Sequence, residues 1–390
     1  MFKYRQILGK IEPFVQAKEA ILITGMRRTG KTTLLQYYLE RCPGSNKLYL
    51  DLENVLNRRY FDEANYERIK HTFEFLGLDF SLPAYVFLDE IQFAPQLPSI
   101  VKYFIDHYQV KFFLTGSSSF YLKNLFSESL AGRKVVFELF PLTFQEFLHF
   151  KELPFHLPPN VTEITEAMHE TIDPYYDEYL KYGGFPGVVL KSKIEEKEKA
   201  LEDIFTSYFQ LEVLQLGDFR RNETIRDMIL LLLEQTGSKL DTQKMCRDLG
   251  ISRPTLYQYL SFLEGTYFIK TIRPYSKGRS VEIRKTPKVY LCDVGLVNRF
   301  ARLDTGRLFE QSVFQNLRVK GELHYFQKKS GIEIDFILNK EKAFEVKLSV
   351  QGSDVSRLER LSHEIGLREY EVVCKTFTPL KEHVTYGYCL

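Results

Sequence analysis

The chain has 390 residues, room for roughly two or three domains, and its 44% hydrophobic and 27% charged residues exclude a disordered or fibrous protein. A formal net charge of +2 excludes a global basic field, so any nucleic-acid surface must be a local patch. Five scattered cysteines with no C-x-x-C pair argue against a disulfide framework or a cysteine zinc site and for a reducing cytoplasm, and no apolar run reaches the about 18 residues of a membrane span.

Ala20–Thr24 reads as a buried strand and Thr33–Leu39 as a helix. Between them, Gly25-Met26-Arg27-Arg28-Thr29-Gly30-Lys31-Thr32 fits G-x-x-x-x-G-K-[ST], a phosphate-binding loop in its required strand–loop–helix context. A triphosphate needs backbone N–H groups aimed at it, and the helix N-terminus adds partial positive charge. Gly25, Arg28, Thr29, Gly30, Lys31, Thr32 and Thr33 are expected to hold ATP, with Lys31 on the β/γ-phosphates and the Thr32 hydroxyl on Mg²⁺.

Further apolar runs follow at Lys47–Leu52, Tyr85–Glu90, Lys111–Gly116 and Lys134–Leu139. Continuous apolar strands alternating with helices predict a parallel sheet covered on both faces, with ligands at the carboxyl ends of its strands. The Tyr85–Glu90 run ends in two acids, a Walker B pattern. Asp89 is expected to hold Mg²⁺ and Glu90 to act as general base on the attacking water. Ser117, at the end of the next run, is expected near the γ-phosphate or the water. Arg133 precedes the last run and suits an arginine finger acting on a neighbouring subunit, a device worth about 10³ to 10⁵ in rate. An arginine capping a helix C-terminus fits the same spacing.

Prolines and the Gly183-Gly184-Phe185-Pro186-Gly187 break delimit a helical segment over 141–215, read as a lid. Leu240–Leu260 has the pattern of a helix-turn-helix: the first helix stops at Gly250, Ser252 caps the next, and Pro254 sits in its first turn. Arg253, Thr255 and Gln258 are then free to face DNA. Lys277, Arg279, Arg284, Lys285 and Lys288 lie in a basic stretch read as a wing for phosphate contacts. The same element can instead serve only to pack domains.

Gly331–Leu338 and Ala343–Leu348 largely alternate. Burying both apolar sets on one side fixes the parity of their pairing. One such register pairs Leu338 with Phe344 across residues 339–343, Ile337 with Glu345 and Asp335 with Lys347. Asp335, Glu345 and Lys347 then share the other face. Two carboxylates and a lysine suit hydrolysis of phosphodiesters with Mg²⁺ or Mn²⁺, and Glu310 on an amphipathic helix can add a further acid. A solvated polar face accounts for the same spacing.

Taken together, Gly25–Thr32, Asp89-Glu90-Ile91-Gln92, Thr115-Gly116-Ser117-Ser118, Ala131-Gly132-Arg133, Gly183–Pro186, Asp293-Val294-Gly295-Leu296, Glu333-Ile334-Asp335 and Glu345-Val346-Lys347 resemble the archaeal and bacterial AAA+ P-loop ATPases fused to a restriction-endonuclease-like, PD-(D/E)xK domain. The resemblance covers nearly the whole chain. It implies an α/β architecture: an αβα sandwich over 1–140, the helical lid over 141–215, a winged helix-turn-helix over 216–290 and a nuclease-like α/β domain over 291–390. It adds weight to Arg133 as a finger and to Glu310, Asp335, Glu345 and Lys347 as a nuclease site. The expected function is an ATP-hydrolysing, DNA-processing enzyme, with branched DNA as a substrate suited to a motor joined to a nuclease. It is expected to be cytoplasmic, without a membrane partner, and a homo-oligomeric ring, a hexamer being one form. The competing reading is a nucleotide switch or remodeller whose nuclease-like domain binds DNA or a partner without cutting.

Overall fold

The computed structural model describes residues 2–117, 130, 132–158, 161–214, 222–276, 278 and 286–390. The chain divides into two compact units: Met1–Phe140 with Ser261–Tyr267, and Pro141–Leu260 with Phe268–Leu390.

The first unit is built on a five-stranded sheet of β1 (Ala20–Thr24), β2 (Lys47–Asp51), β3 (Ala84–Asp89), β4 (Val110–Gly116) and β5 (Lys134–Glu138). Its order is β2-β3-β4-β1-β5, and every pairing is parallel. The apolar runs are continuous because both faces are covered. Ile21, Ile23, Phe87 and Phe113 pack with Leu34 and Leu35 of helix α1 (Lys31–Arg41). Leu22, Leu88 and Leu114 face the other way, onto α2 (Tyr66–Phe75) and α3 (Leu97–His107) through Phe73, Ile100 and Phe104. The order places β4 between the strand that feeds the phosphate loop and the strand that ends in Asp89.

The second unit opens with α4 (Phe144–Phe150), where Thr143 and Glu146 form a capping box, and α5 (Glu166–Tyr182). Helices α6 (Ile194–Tyr208), α7 (Asn222–Glu234), α8 (Thr242–Leu249) and α9 (Arg253–Gly265) follow. The expected break after Tyr182 is a keystone. Gly183 has φ +75°, and a Cβ there would lie 1.9 Å from Asp293 Oδ1. Gly184 N–H donates to Asp293 Oδ2 (2.7 Å), while Oδ1 accepts from Gly295 and Leu296 N–H at the start of α10 (Val294–Phe300). One buried carboxylate thus ties the Gly183-Gly184 and Asp293-Val294-Gly295-Leu296 motifs together, and burial raises its pKa.

A seven-stranded sheet in the order β12-β11-β10-β9-β8-β6-β7 fills the rest. It comprises β6 (Ile269–Pro274), β7 (Lys288–Leu291), β8 (Leu323–Gln327), β9 (Glu333–Leu338), β10 (Lys342–Lys347), β11 (Glu369–Cys374) and β12 (Val384–Tyr386). Helices α11 (Thr305–Leu317) and α12 (Gly352–Ile365) supply Phe309, Val313, Phe314, Leu358 and Leu361 to its core.

Two expectations change here. The hairpin β6–β7, expected as a wing, is the edge of this sheet, because β6 also runs parallel to β8. The β9–β10 register keeps the expected even-with-even parity but is shifted: Leu338 faces Lys342 and Phe336 faces Phe344. The cause is a tighter turn, with Asn339 (φ 52°) and Lys340 (φ 62°) both left-handed and Glu341 N–H bonded to Leu338 C=O at 3.0 Å. Both faces of these central strands are covered, since Ile337, Ala343 and Glu345 are buried along with Ile334, Phe336 and Phe344. On the polar face Glu345 is buried, while Asp335 and Lys347 are half-buried.

Candidate functional site

In the first unit, β1 ends at Thr24 and the chain turns through Gly25 (φ +155°) and Gly30 (φ +98°) into α1. A Cβ on Gly25 would lie 2.1 Å from the Leu139 carbonyl oxygen, so close backbone passage demands glycine there. Thr29 is fully buried, and its hydroxyl donates to Met26 C=O at 2.9 Å. Arg5 was not singled out by any motif. It donates to Thr29 C=O (2.9 Å) and Phe140 C=O (2.7 Å), clamping the loop from outside. Lys31 is buried, with its ammonium on the carbonyls of Gly25 (3.0 Å) and Met26 (3.1 Å). Those partners are neutral, and a phosphate oxygen offers the same ammonium a charged acceptor.

Asp89 ends β3, buried, and burial pushes its pKa up despite hydrogen bonds from Thr115 and Thr32. A buried carboxylate beside the Thr32 hydroxyl fits a Mg²⁺ site, because the cation would compensate the charge that burial penalises. Glu90 follows in a left-handed conformation (φ 54°), rare for a side chain of this kind and a mark of a position held by its surroundings. Burial raises its pKa. The charges of Lys31 and Arg27 and the hydrogen bonds from Gln92 and Ser117 outweigh burial, holding the carboxyl below its ordinary value and ionised at neutral pH.

Thr115, passed over in the sequence in favour of Ser117, joins the two acids: its hydroxyl donates to Asp89 Oδ1 and accepts Glu90 N–H at 3.2 Å. Gln92 also went unselected. Its amide donates to Glu90 Oε2 (2.5 Å) and Ser117 Oγ (2.9 Å), so it links Ser117 to the Glu90 carboxylate that Ser117 also hydrogen-bonds. The structure thus brings Lys31, Thr32, Asp89, Glu90 and Ser117 into one connected site. Arg133 stands apart: its Nε donates to Asp106 Oδ1 of α3 at 2.7 Å. Within one chain it is an ion-paired, partly exposed arginine.

In the second unit, α8 starts at Asp241, whose carboxylate accepts Lys244 N–H, and stops at Gly250 in the left-handed region (φ 62°). Ser252 Oγ accepts Thr255 N–H at 3.3 Å, capping α9. Arg253 and Gln258 are exposed, whereas the Thr255 hydroxyl is engaged with Ser252 Oγ at 2.8 Å. Lys277, Arg279, Arg284 and Lys285 lie outside the described residues. Lys288, read as a phosphate contact, is only 4% exposed and is ion-paired to Glu310 and Glu333.

The charge of Asp335 acts on both Glu310 and Glu345, and Glu345 is ion-paired with Lys347. Glu310 on α11 accepts from the Tyr290 hydroxyl (2.6 Å) and faces Lys288 Nζ (3.5 Å). Glu345 Oε1 meets Lys347 Nζ (3.0 Å) and Arg357 of α12 (2.6 Å), while its Oε2 is buried with no hydrogen-bond partner. Asp335 Oδ2 accepts Val346 N–H at 2.8 Å. Burial, then the charge of Asp335, pushes the pKa of Glu310 and of Glu345 up; Lys288 and Lys347 respectively act against this. Among the described residues, no three His, Cys, Asp or Glu side chains converge to hold a metal.

A glycine-lined loop closing on a helix, with Lys31 in it and an acid pair on a nearby strand, is the arrangement of a phosphate-binding P-loop site. Residues 17–148 match a family described as an AAA domain. Residues 173–307 and 305–385 match two domains of unknown function, DUF8612 and DUF4143. The chain is 27% identical to an uncharacterised protein of Haemophilus influenzae, over 85% of this chain and 84% of that one. It is 28% identical to an uncharacterised protein of Methanocaldococcus jannaschii, over 82% and 73%. Among solved structures it is similar to the Walker-type ATPase of Pyrococcus abyssi, with 16% identity and a TM-score of 0.46 over 77% of this chain and 96% of that one. No helix among the described residues is long and apolar enough to cross a membrane.

Proposed function

We propose that the protein binds and hydrolyses ATP and couples turnover to work on DNA as a homo-oligomer. The observation that carries the first part is the connected site Lys31–Thr32–Asp89–Glu90, with Glu90 kept ionised next to Lys31. Thr32 and Asp89 would hold Mg²⁺, which supplies charge stabilisation for the β- and γ-phosphates. Loop N–H groups and Lys31 bind the phosphates, Glu90 accepts the proton of the attacking water, and Gln92 and Ser117 orient that carboxylate. Arg133 serves as the finger of a neighbouring subunit after leaving Asp106. The DNA part rests on the capped α8–α9 pair with Arg253 and Gln258 exposed on α9.

The test is paired. Lys31→Ala abolishes ATP binding or turnover; an unchanged rate sinks the ATPase site. Charge reversal at Arg253, Arg279, Arg284 and Lys285 lowers DNA affinity and flattens its salt dependence; unchanged affinity and slope remove the DNA-facing surface.

A second activity, metal-dependent DNA cleavage, is favoured by the charge of Asp335 acting on both Glu310 and Glu345, by the Glu345–Lys347 pair and by the unpartnered Glu345 Oε2. As arranged, Glu310 and Glu345 are paired with cations, and among the described residues no three acids converge on a metal. Labelled single-stranded, duplex and four-way-junction DNA with Mg²⁺ or Mn²⁺ tests it. Cleavage that is lost in Glu345→Ala supports a nuclease, and no cleavage of any of the three leaves a switch or remodeller.

A further inference from the structure

The acid cluster of the second unit is already paired with cationic side chains. Lys288 projects from β7 into it, 4% exposed, paired with Glu333 and lying 3.5 Å from Glu310. Burial disfavours its ammonium, but the charges of Glu310, Asp335 and Glu333 outweigh burial and keep it protonated. On the other side, Lys347 and Arg357 both take Glu345 Oε1. The acids are thus split into two ion-paired halves, and the charge of Asp335 acts on the carboxyls of both. Glu345 Oε2, buried and without a partner, is a donor atom left over from this pairing.

A buried ammonium cannot leave easily. Removing a charged partner from a desolvated pair leaves uncompensated charge, and the pair persists because the alternative is worse. A divalent cation entering here would compete with that ammonium for the same carboxylate oxygens. It would have to displace Lys288 before Glu310, Asp335 and Glu345 could become ligands of one ion.

We infer that Lys288 is a tethered cation that occupies the Glu310 side of the cluster and holds it closed to divalent metal. This rests on the second reading above, in which the cluster is a metal site. Binding of a metal therefore requires Lys288 to move, and the side chain sets the metal affinity without being a ligand. A neutral residue at 288 would leave Glu310, Asp335 and Glu345 with a charge deficit that a divalent ion fills.

The experiment is Mn²⁺ binding by calorimetry and by electron paramagnetic resonance of free Mn²⁺. It uses the full, nucleotide-free chain carrying Asp89→Asn, so that the P-loop does not contribute. Lys288→Met and Lys288→Gln are expected to bind Mn²⁺ at least about tenfold more tightly than the parent, the scale on which groups behind metal ligands alter affinity. Lys288→Arg keeps the parent's weak binding, and adding Glu345→Gln to Lys288→Met removes the gain. Equal Mn²⁺ affinity in the parent and the folded neutral variants overturns the inference. So does failure of both neutral variants to fold at millimolar Mn²⁺, since metal should restore a cluster relieved only of its lysine.

DNA cleavage separates this from the reading beneath it. Tightened Mn²⁺ binding with no cleavage by any variant removes the nuclease and keeps the tethered cation. Cleavage by wild type, with affinity indifferent to residue 288, does the reverse.

Discussion

Thr115→Val is the sharpest test of the ATPase site. Valine keeps the shape and removes the hydroxyl that donates to Asp89 Oδ1 and accepts Glu90 N–H. Losing a hydrogen bond to a charged group costs about 1.5–3 kcal/mol, and leaving the Glu90 N–H without its acceptor adds about 1–3 kcal/mol. Asp89 keeps bonds from Thr32 and from the Tyr49 hydroxyl, so the lower ends of these ranges apply and the sum is about 2.5 kcal/mol. Part of it appears as global stability in urea denaturation. The rest appears in catalysis, because Glu90 is held at φ 54° partly by this bond. A transition-state loss of about 1.4 kcal/mol, roughly half of that sum, is about tenfold in kcat. ATP affinity should change by no more than about threefold, since Lys31 and the loop N–H groups are untouched. Thr115→Ser restores the hydroxyl and should recover most of the rate. The reasoning fails if Thr115→Val turns over ATP like wild type, or if serine and valine lose activity equally.

Glu90→Gln should bind ATP normally and hydrolyse it very slowly, and normal single-turnover rates would remove Glu90 as the general base. Arg133→Ala breaks the Asp106 pair and should lose turnover that mixed oligomers with an Arg133-competent, Glu90→Gln subunit restore; no rescue, with a monomer by light scattering, retires the trans finger. Gly183→Ala places a methyl 1.9 Å from Asp293 Oδ1 and should cost more than about 4 kcal/mol, seen as loss of soluble protein or a collapsed denaturation midpoint. A midpoint like wild type would show that the keystone yields. Glu345 has its pKa raised from 4.5 to about 7, so the folded state holds the extra proton and stability from this group falls as pH rises through that window. Glu345→Gln lacks this fall, and its stability relative to wild type should improve by about 2 kcal/mol between pH 5 and 8; a pH-independent difference in chemical denaturation would refute the raised pKa.

Motifs whose chemistry is carried by contiguous residues were readable in the chain. The phosphate loop, the Asp89-Glu90 pair and the caps at Gly250 and Ser252 depend on local backbone geometry and short spacing, so a linear pattern suffices. The even-with-even pairing of β9 and β10 was readable for a related reason: side chains alternate along a strand, and an odd slip would expose the apolar set. Its shift was not, because the left-handed pair Asn339-Lys340 makes a tighter turn than the apolar pattern demands.

What the tertiary structure alone decided are the contacts between residues distant in sequence. Thr115 became the link between Asp89 and Glu90 only because β4 inserts between β1 and β3. Arg5 reached the phosphate loop, and Asp293 reached Gly183 and Gly184, across separations that no spacing rule connects. Lys288 shows the limit most plainly. In the sequence it belongs to a basic run suited to a wing, where solvent and phosphate would share its charge. The strand order instead puts β7 at one edge of the sheet, and Lys288 turns inward to Glu310 and Glu333. Composition determined that the lysine is charged; burial among acids decided what that charge is for.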